Sequence, residues 1–79
     1  MTTAVDLDAV RIEALFASPL QESQHPAPEL VRATVDATVN RLGTTGCAAQ
    51  MATEFGEHPD TALMRMRWAR TACRRAFNV

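Results

Sequence analysis

Apolar side chains recur at three- and four-residue spacing in four segments of the chain, which predicts four α-helices. The first helix is predicted from Asp6 to Ala17, because Thr3 and Asp6 are spaced as a helix-capping pair. Residues 1–5 are expected to be flexible. The apolar residues of this helix cover much of its circumference, so we expect it to be largely buried. They are Leu7, Val10, Ile12, Ala14, Leu15, Phe16 and Ala17.

Residues 18–28 contain three of the four prolines and are predicted to form an extended loop. A second helix is predicted over residues 28–42, where Gly43 fits a left-handed C-terminal cap. A third helix follows from Thr44 or Thr45 and ends at Gly56. The apolar stripes of these two helices consist of Val31, Val35, Thr38, Val39 and Leu42, and of Cys47, Ala48, Met51, Ala52 and Phe55.

The fourth helix is predicted over residues 59–77, with Pro59 at its first position and Asp60 near its positive end. Projection at about 100° per residue gives it a core face, with Leu63 at the margin. That face consists of Ala62, Met66, Ala69, Cys73, Ala76 and Phe77. Met64 and Trp68 lie one turn apart and away from this face.

The size and composition of the chain favour one small all-α domain over residues 1–79, a bundle of about four helices. The chain has 79 residues, 47% of them hydrophobic, and tyrosine is absent. Such a domain buries only about 60% of the surface that its unfolded chain exposes. Homo-oligomerisation is a common source of additional stability, and we expect it here.

Charge is distributed unevenly, although the formal net charge is only −1. All nine acids lie within residues 1–60, whereas the last segment, 61–79, contains five of the eight arginines and no acid. Two interpretations remain open at this point. The basic helix binds an acidic partner or a polyanion, or it lies against the acidic helices of its own chain.

The Met64–Trp68 pair has the composition of an interface centre, because polarisable and aromatic side chains flanked by guanidinium groups are enriched there. The predicted partner-binding residues are Met64, Arg65, Arg67, Trp68 and Arg75. They would contact an acidic protein partner, a second copy of the chain, or both. The alternative is that another helix covers the pair as part of a wide core. The segment 19–28 is a second candidate surface, since loops expose backbone and side chains together.

Residues 47–68 resemble a helix-turn-helix segment, the DNA-binding motif. The resemblance rests on Ala52 as the small residue between the two helices, Gly56 as the turn residue, and a second helix opening at Pro59. It implies that the exposed positions of that helix, Thr61, Met64 and Arg65, face a DNA groove. The sequence departs from the motif at Glu57, where such turns carry an aliphatic residue, and at Arg65, where an apolar residue normally packs.

Groups that could perform chemistry are few. The two histidines and two cysteines have no zinc-ligand spacing, serine occurs in no nucleophile motif, and three glycines are too few for a phosphate-binding loop. We therefore expect no catalytic residue, no metal and no cofactor. Cys47 and Cys73 are expected to be reduced and buried, although they would come close if the third and fourth helices packed together.

These patterns together predict a small non-enzymatic, regulatory protein-interaction module that uses its C-terminal helix. No stretch has the apolar length of a membrane span or the layout of a signal peptide, so a cytoplasmic location is expected. The alternative function is a DNA-binding transcriptional regulator that places the 59–77 helix in a groove.

Overall fold

The computed structural model describes residues 6–77, and this part of the chain is all-α, as predicted. Three helices, α1 (Leu7–Ala17), α2 (Pro28–Glu57) and α3 (Pro59–Phe77), each pack against the other two around one core. A single 3₁₀ turn, Glu22–Gln24, lies in the loop between α1 and α2. In the described residues no helix combines the length and apolar character needed to cross a membrane.

The predicted count of four helices is not matched, because the second and third predicted helices form one helix, α2. Gly43 alone within it leaves helical geometry, with φ 72° and ψ 166°, and α2 is kinked there. The predicted end of a helical segment at Gly43, with positive φ, is confirmed, but the predicted left-handed cap is not, because a ψ of 166° lies outside the left-handed helical region. No loop separates the two parts of α2, because the residues before and after Gly43 are both helical. Gly43 alone accounts for the kink.

The ends of α1 are set by local hydrogen bonds. Asp6 is the N-terminal cap, because its carboxylate accepts the Ala9 N–H at 3.2 Å. Thr3, the predicted capping partner, and the flexible segment 1–5 lie outside the described residues. At the other end the Ser18 hydroxyl donates to the Leu15 carbonyl at 2.7 Å. Pro19 follows, and a proline cannot continue the helical hydrogen-bond ladder.

One residue, His58, connects α2 to α3. Its N–H donates to the Glu54 carbonyl at 2.7 Å, and its own carbonyl accepts the Ala62 N–H at 2.9 Å. Because the residue before a proline is disfavoured in helical geometry, Pro59 ends α2 and begins α3 at the same point. The predicted end of the helix at Gly56 is early by one residue, since α2 includes Glu57.

The structure departs from the predicted helix-turn-helix hairpin in three respects. That motif has a turn of three or four residues, whereas α2 and α3 are separated by His58 alone. Gly56 is helical and does not have positive φ. Ala52, predicted to lie between the two helices, is exposed. The chain changes direction at His58 alone, which has non-helical backbone angles of φ −137° and ψ 64°.

The core face predicted for α3 is confirmed. Its buried residues are Ala62, Met66, Ala69, Cys73 and Ala76. Phe77 is only partly buried, and Leu63, placed at the margin, is 46% exposed. In α1 the last four residues, 14–17, are all buried, as expected for a helix covered on most sides, but Leu7 at its start is 54% exposed. The outer face of α3 therefore remains available for contacts.

Candidate protein-interaction groove

The outer face of α3 carries the side chains that the sequence pattern singles out. Within residues 6–77, Met64 is the most exposed of the large hydrophobic side chains, at 67%, and so does not belong to the core. Trp68, one turn later, is partly buried and packs against the edge of the core. Arg67 and Arg75 are exposed. The indole is thus held in place on one side and accessible on the other.

A groove of about 640 Å³ runs between this face and the loop that precedes α2. We call it the α3 groove. Its lining residues are Glu22, His25, Pro26, Pro28, Val31, Met64, Arg67, Trp68, Thr71, Ala72 and Arg75. The two surfaces that the sequence predicts separately, the Met64–Trp68 pair and the proline-containing segment, are therefore the two walls of one feature.

The loop wall is built by local hydrogen bonds. The Gln21 N–H donates to the Gln24 side-chain oxygen at 2.7 Å, and the His25 N–H donates to the Glu22 carbonyl at 3.0 Å. His25 then has φ 47° and ψ 56°, in the left-handed region that non-glycine residues rarely occupy. Such conformations cost about 1–3 kcal/mol and cluster at binding and active sites. The prediction of a wholly extended loop missed this turn.

Arg65 connects α3 to the end of α1. Its Nε donates to the Phe16 carbonyl at 2.8 Å, and one terminal nitrogen donates to the carbonyls of Ser18 and Leu20 at 2.7 and 2.8 Å. The same nitrogen lies 3.3 Å from the Leu15 carbonyl. No basic residue occupies the last turn of α1, so Arg65 supplies the positive charge that its C-terminal carbonyls favour.

Because these hydrogen bonds occupy its guanidinium, Arg65 takes a supporting position in the predicted site. Its guanidinium lies 5.1 Å from the centre of the Trp68 ring and 5.8 Å from that of Phe16. Burial lowers the pKa of Arg65 and the Glu54 carboxylate raises it, but an arginine remains charged. Arg65 does not line the groove; it supports the Trp68 side chain that does.

The remaining arginines of α3 form no ion pair within residues 6–77. Among residues 6–77, the ion pairs are Arg11 with Asp8 and Arg32 with Glu29, each at 3.9 Å. Neither involves α3, so in the described part of the chain the basic helix is not neutralised by direct pairing with acidic helices. In the groove, two guanidinium groups, Arg67 and Arg75, face a single carboxylate, Glu22.

The thiols lie away from the groove. Cys47 and Cys73 are free and buried. Burial raises the pKa of both, that of Cys73 to about 11, so the thiols are protonated at neutral pH and are poor nucleophiles. Within residues 6–77, no three His, Cys, Asp or Glu side chains are grouped as metal ligands would be.

The sequence pattern missed three groove residues, Val31, Thr71 and Ala72. Thr71 and Ala72 share a helical stripe with Met64 and Trp68, so helical spacing was the signal that would have found them. Comparison with protein-family models, curated proteins and solved structures finds no match for this chain. Any assignment of function therefore depends on the groove itself.

Proposed function

We propose that this protein is a non-enzymatic, regulatory interaction module whose α3 groove binds an acidic protein segment that carries apolar side chains. The observation that carries the proposal is the meeting of an exposed Met64–Trp68 pair with a proline-rich loop in one groove of about 640 Å³. That volume lies within the range of about 300–1,000 Å³ of ordinary binding sites.

The roles within the groove follow from side-chain chemistry. Trp68 is the anchor, because a large aromatic group held against the core loses little conformational freedom when a partner covers it. Met64 is flexible and polarisable and adapts to the shape of an apolar partner. Arg67 and Arg75 bind carboxylates, which gives the contact its charge preference. Arg65 positions the indole from behind.

DNA binding by α3 is the second candidate, and the exposed arginines favour it. Arg67, Arg70, Arg74 and Arg75 provide four positive charges that phosphates would attract. The N-terminal part of α3 opposes it, since recognition helices contact bases with their first turns and Asp60 there would repel phosphates. The protein-interaction proposal does not meet this difficulty, because Asp60 does not line the α3 groove.

Selection of a random peptide library on the immobilised protein tests the proposal. We expect the enriched peptides to combine acidic and apolar residues and to lose at least tenfold in affinity on Met64→Asp, because a carboxylate would replace an apolar contact. Met64 is mostly exposed, so this variant should fold. Arg41→Ala is the control, since Arg41 is exposed and does not line the groove.

Two results would contradict the proposal. Peptides that bind the Met64→Asp variant as well as the wild type would show that the groove is not the binding surface. The second result has two parts: no selected peptide depends on the groove, and the protein binds an arbitrary DNA duplex tightly, with an affinity that falls steeply as salt is added. This result would favour the DNA candidate.

A further inference from the structure

A second cavity lies on another flank of α3, where this helix packs against the first half of α1. The two helices run antiparallel, because Arg11 contacts Phe77 at the end of α3 and Arg65 bonds Phe16 near the end of α1. The cavity has a volume of about 140 Å³ and shares no lining residue with the α3 groove. We call it the α1–α3 pocket. It is lined by Asp8, Arg11 and Ile12 of α1 and by Arg70, Cys73, Arg74 and Phe77 of α3.

The floor of the α1–α3 pocket is apolar. It consists of Ile12, Cys73 and Phe77, and Cys73, at 4% exposure, is the most buried of the lining residues. Such a floor gives ordered water few of the polar partners that it needs. An apolar cavity of about 150 Å³ holds a molecule of the size of benzene. The pocket is of similar volume, so it suits an occupant with one small apolar body.

Three guanidinium groups surround this floor. Arg70 and Arg74 are exposed, and neither forms an ion pair within residues 6–77. Arg11 lies 3.9 Å from the Asp8 carboxylate, which is too long a separation for a hydrogen bond. Three positive charges therefore face a single negative charge in the pocket, and an anionic group bound beside the floor would be stabilised.

Arg11 is placed to bind a carboxylate. Its guanidinium lies over the Phe77 ring, with 4.2 Å between the guanidinium carbon and the ring centre. A guanidinium that packs on an aromatic face keeps N–H groups along its edge, where a carboxylate accepts two parallel hydrogen bonds. A carboxylate bound in this way would hold the rest of its molecule beside the Phe77 ring and the apolar floor.

We propose that the α1–α3 pocket binds a small organic carboxylate whose apolar body is about the size of a benzene ring. The body lies on the apolar floor and Arg11 binds the carboxylate, while Arg70 and Arg74 add electrostatic attraction. Inorganic phosphate fits less well, because it has no apolar part and because Asp8 repels a doubly charged group more strongly than a monoanion. The site goes beyond the proposed function and does not depend on it, since the α3 groove contributes none of its residues.

Titration of the isotope-labelled protein with benzoate, followed by the NMR chemical shifts of its amides, tests the proposal. We expect saturable binding with a dissociation constant of about 1 mM or lower, which the ligand efficiency of so small a molecule allows. The shifted signals should belong to residues 8–12 and 70–77. Benzyl alcohol has the ring without the charge, and acetate has the charge without the ring, so each should bind roughly tenfold more weakly or worse.

Variants of the arginines assign their roles. Arg70→Gln combined with Arg74→Gln removes two exposed charges and should raise the dissociation constant for benzoate by roughly tenfold or more. Arg11→Lys keeps the charge and removes the planar fork of donors, so we expect a rise of roughly fivefold. The control is Arg41→Gln, because Arg41 is exposed on α2 and lines neither cavity, and it should leave the affinity unchanged. Circular dichroism would verify the fold of each variant.

Three results would overturn the proposal. The first is the absence of saturable shifts with benzoate up to about 10 mM. The second is a set of shifts that maps to the α3 groove, at residues 64, 68 and 71, and not to the pocket. The third is an affinity for benzoate that the double glutamine variant leaves unchanged, or that acetate or benzyl alcohol equals. None of these results bears on the proposed function, which the peptide selection tests separately.

Discussion

Gly43 occupies a backbone conformation that only glycine adopts readily, and it does so without crowding. Its φ of 72° and ψ of 166° fall in a region that an L side chain enters at a cost of about 1–3 kcal/mol. A Cβ built there would meet no atom within 4 Å. Glycine is therefore favoured at this position by the backbone angles and not by a lack of space for a side chain.

Gly43→Ala should accordingly lower the free energy of unfolding by about 1–3 kcal/mol, which denaturant titration would measure. Gly56→Ala is the matched control, because Gly56 is helical and a Cβ there also meets nothing within 4 Å. Alanine is the better helix former, so the control should be neutral or more stable by up to about 1 kcal/mol. Equal losses in both variants would contradict the role assigned to the backbone at Gly43.

At the scale of the element, Arg65 decides how α1, the loop and α3 fit together. Its guanidinium bonds carbonyls at the end of α1 and in the following loop, and it lies against the Trp68 ring. The Phe16 carbonyl lies in the last turn of α1, where carbonyls have no partner within the helix and need other donors. One side chain from α3 thus binds the end of α1 and the start of the following loop, and it supports Trp68 in the groove.

Arg65→Lys tests this role because it keeps the charge and removes the planar fork of donors. We expect it to lower the free energy of unfolding by about 1–3 kcal/mol, since one ammonium cannot reach the same carbonyls. Arg67→Lys, on the exposed side of the same helix, should change stability by about 0.5 kcal/mol or less. Similar thermal unfolding of the two variants would show that the Arg65 hydrogen bonds contribute little.

Helical spacing along α3 was enough to predict its buried face and the exposure of Met64, because each depends only on the 3.6-residue repeat. The break at Gly43 was also predictable, because glycine adopts positive φ without the steric cost that other residues have. The role of Arg65 was not, since its carbonyl partners lie more than 40 residues away in sequence. For the same reason the sequence did not join the loop and α3 into one groove.

At the scale of the whole molecule, the composition makes the response to alkaline pH simple to interpret. The chain contains no tyrosine, and all eight of its basic residues are arginines, whose guanidinium groups stay charged in proteins. Between about pH 9 and 11 the side chains that titrate are therefore the two thiols. Both are buried, and burial raises the pKa of each.

Folding should weaken across that window. Burial raises the pKa of the Cys73 thiol from its ordinary 9.0 to about 11. Above pH 9 the unfolded chain loses this proton while the folded chain keeps it, so the stability present below pH 9 falls as the pH rises to 11. A shift of this size corresponds to about 2–3 kcal/mol of unfolding free energy, which denaturant titrations at successive pH values would detect. Cys73→Ala should flatten the decline to the part that belongs to Cys47, and parallel declines in variant and wild type would show that Cys73 is not its source.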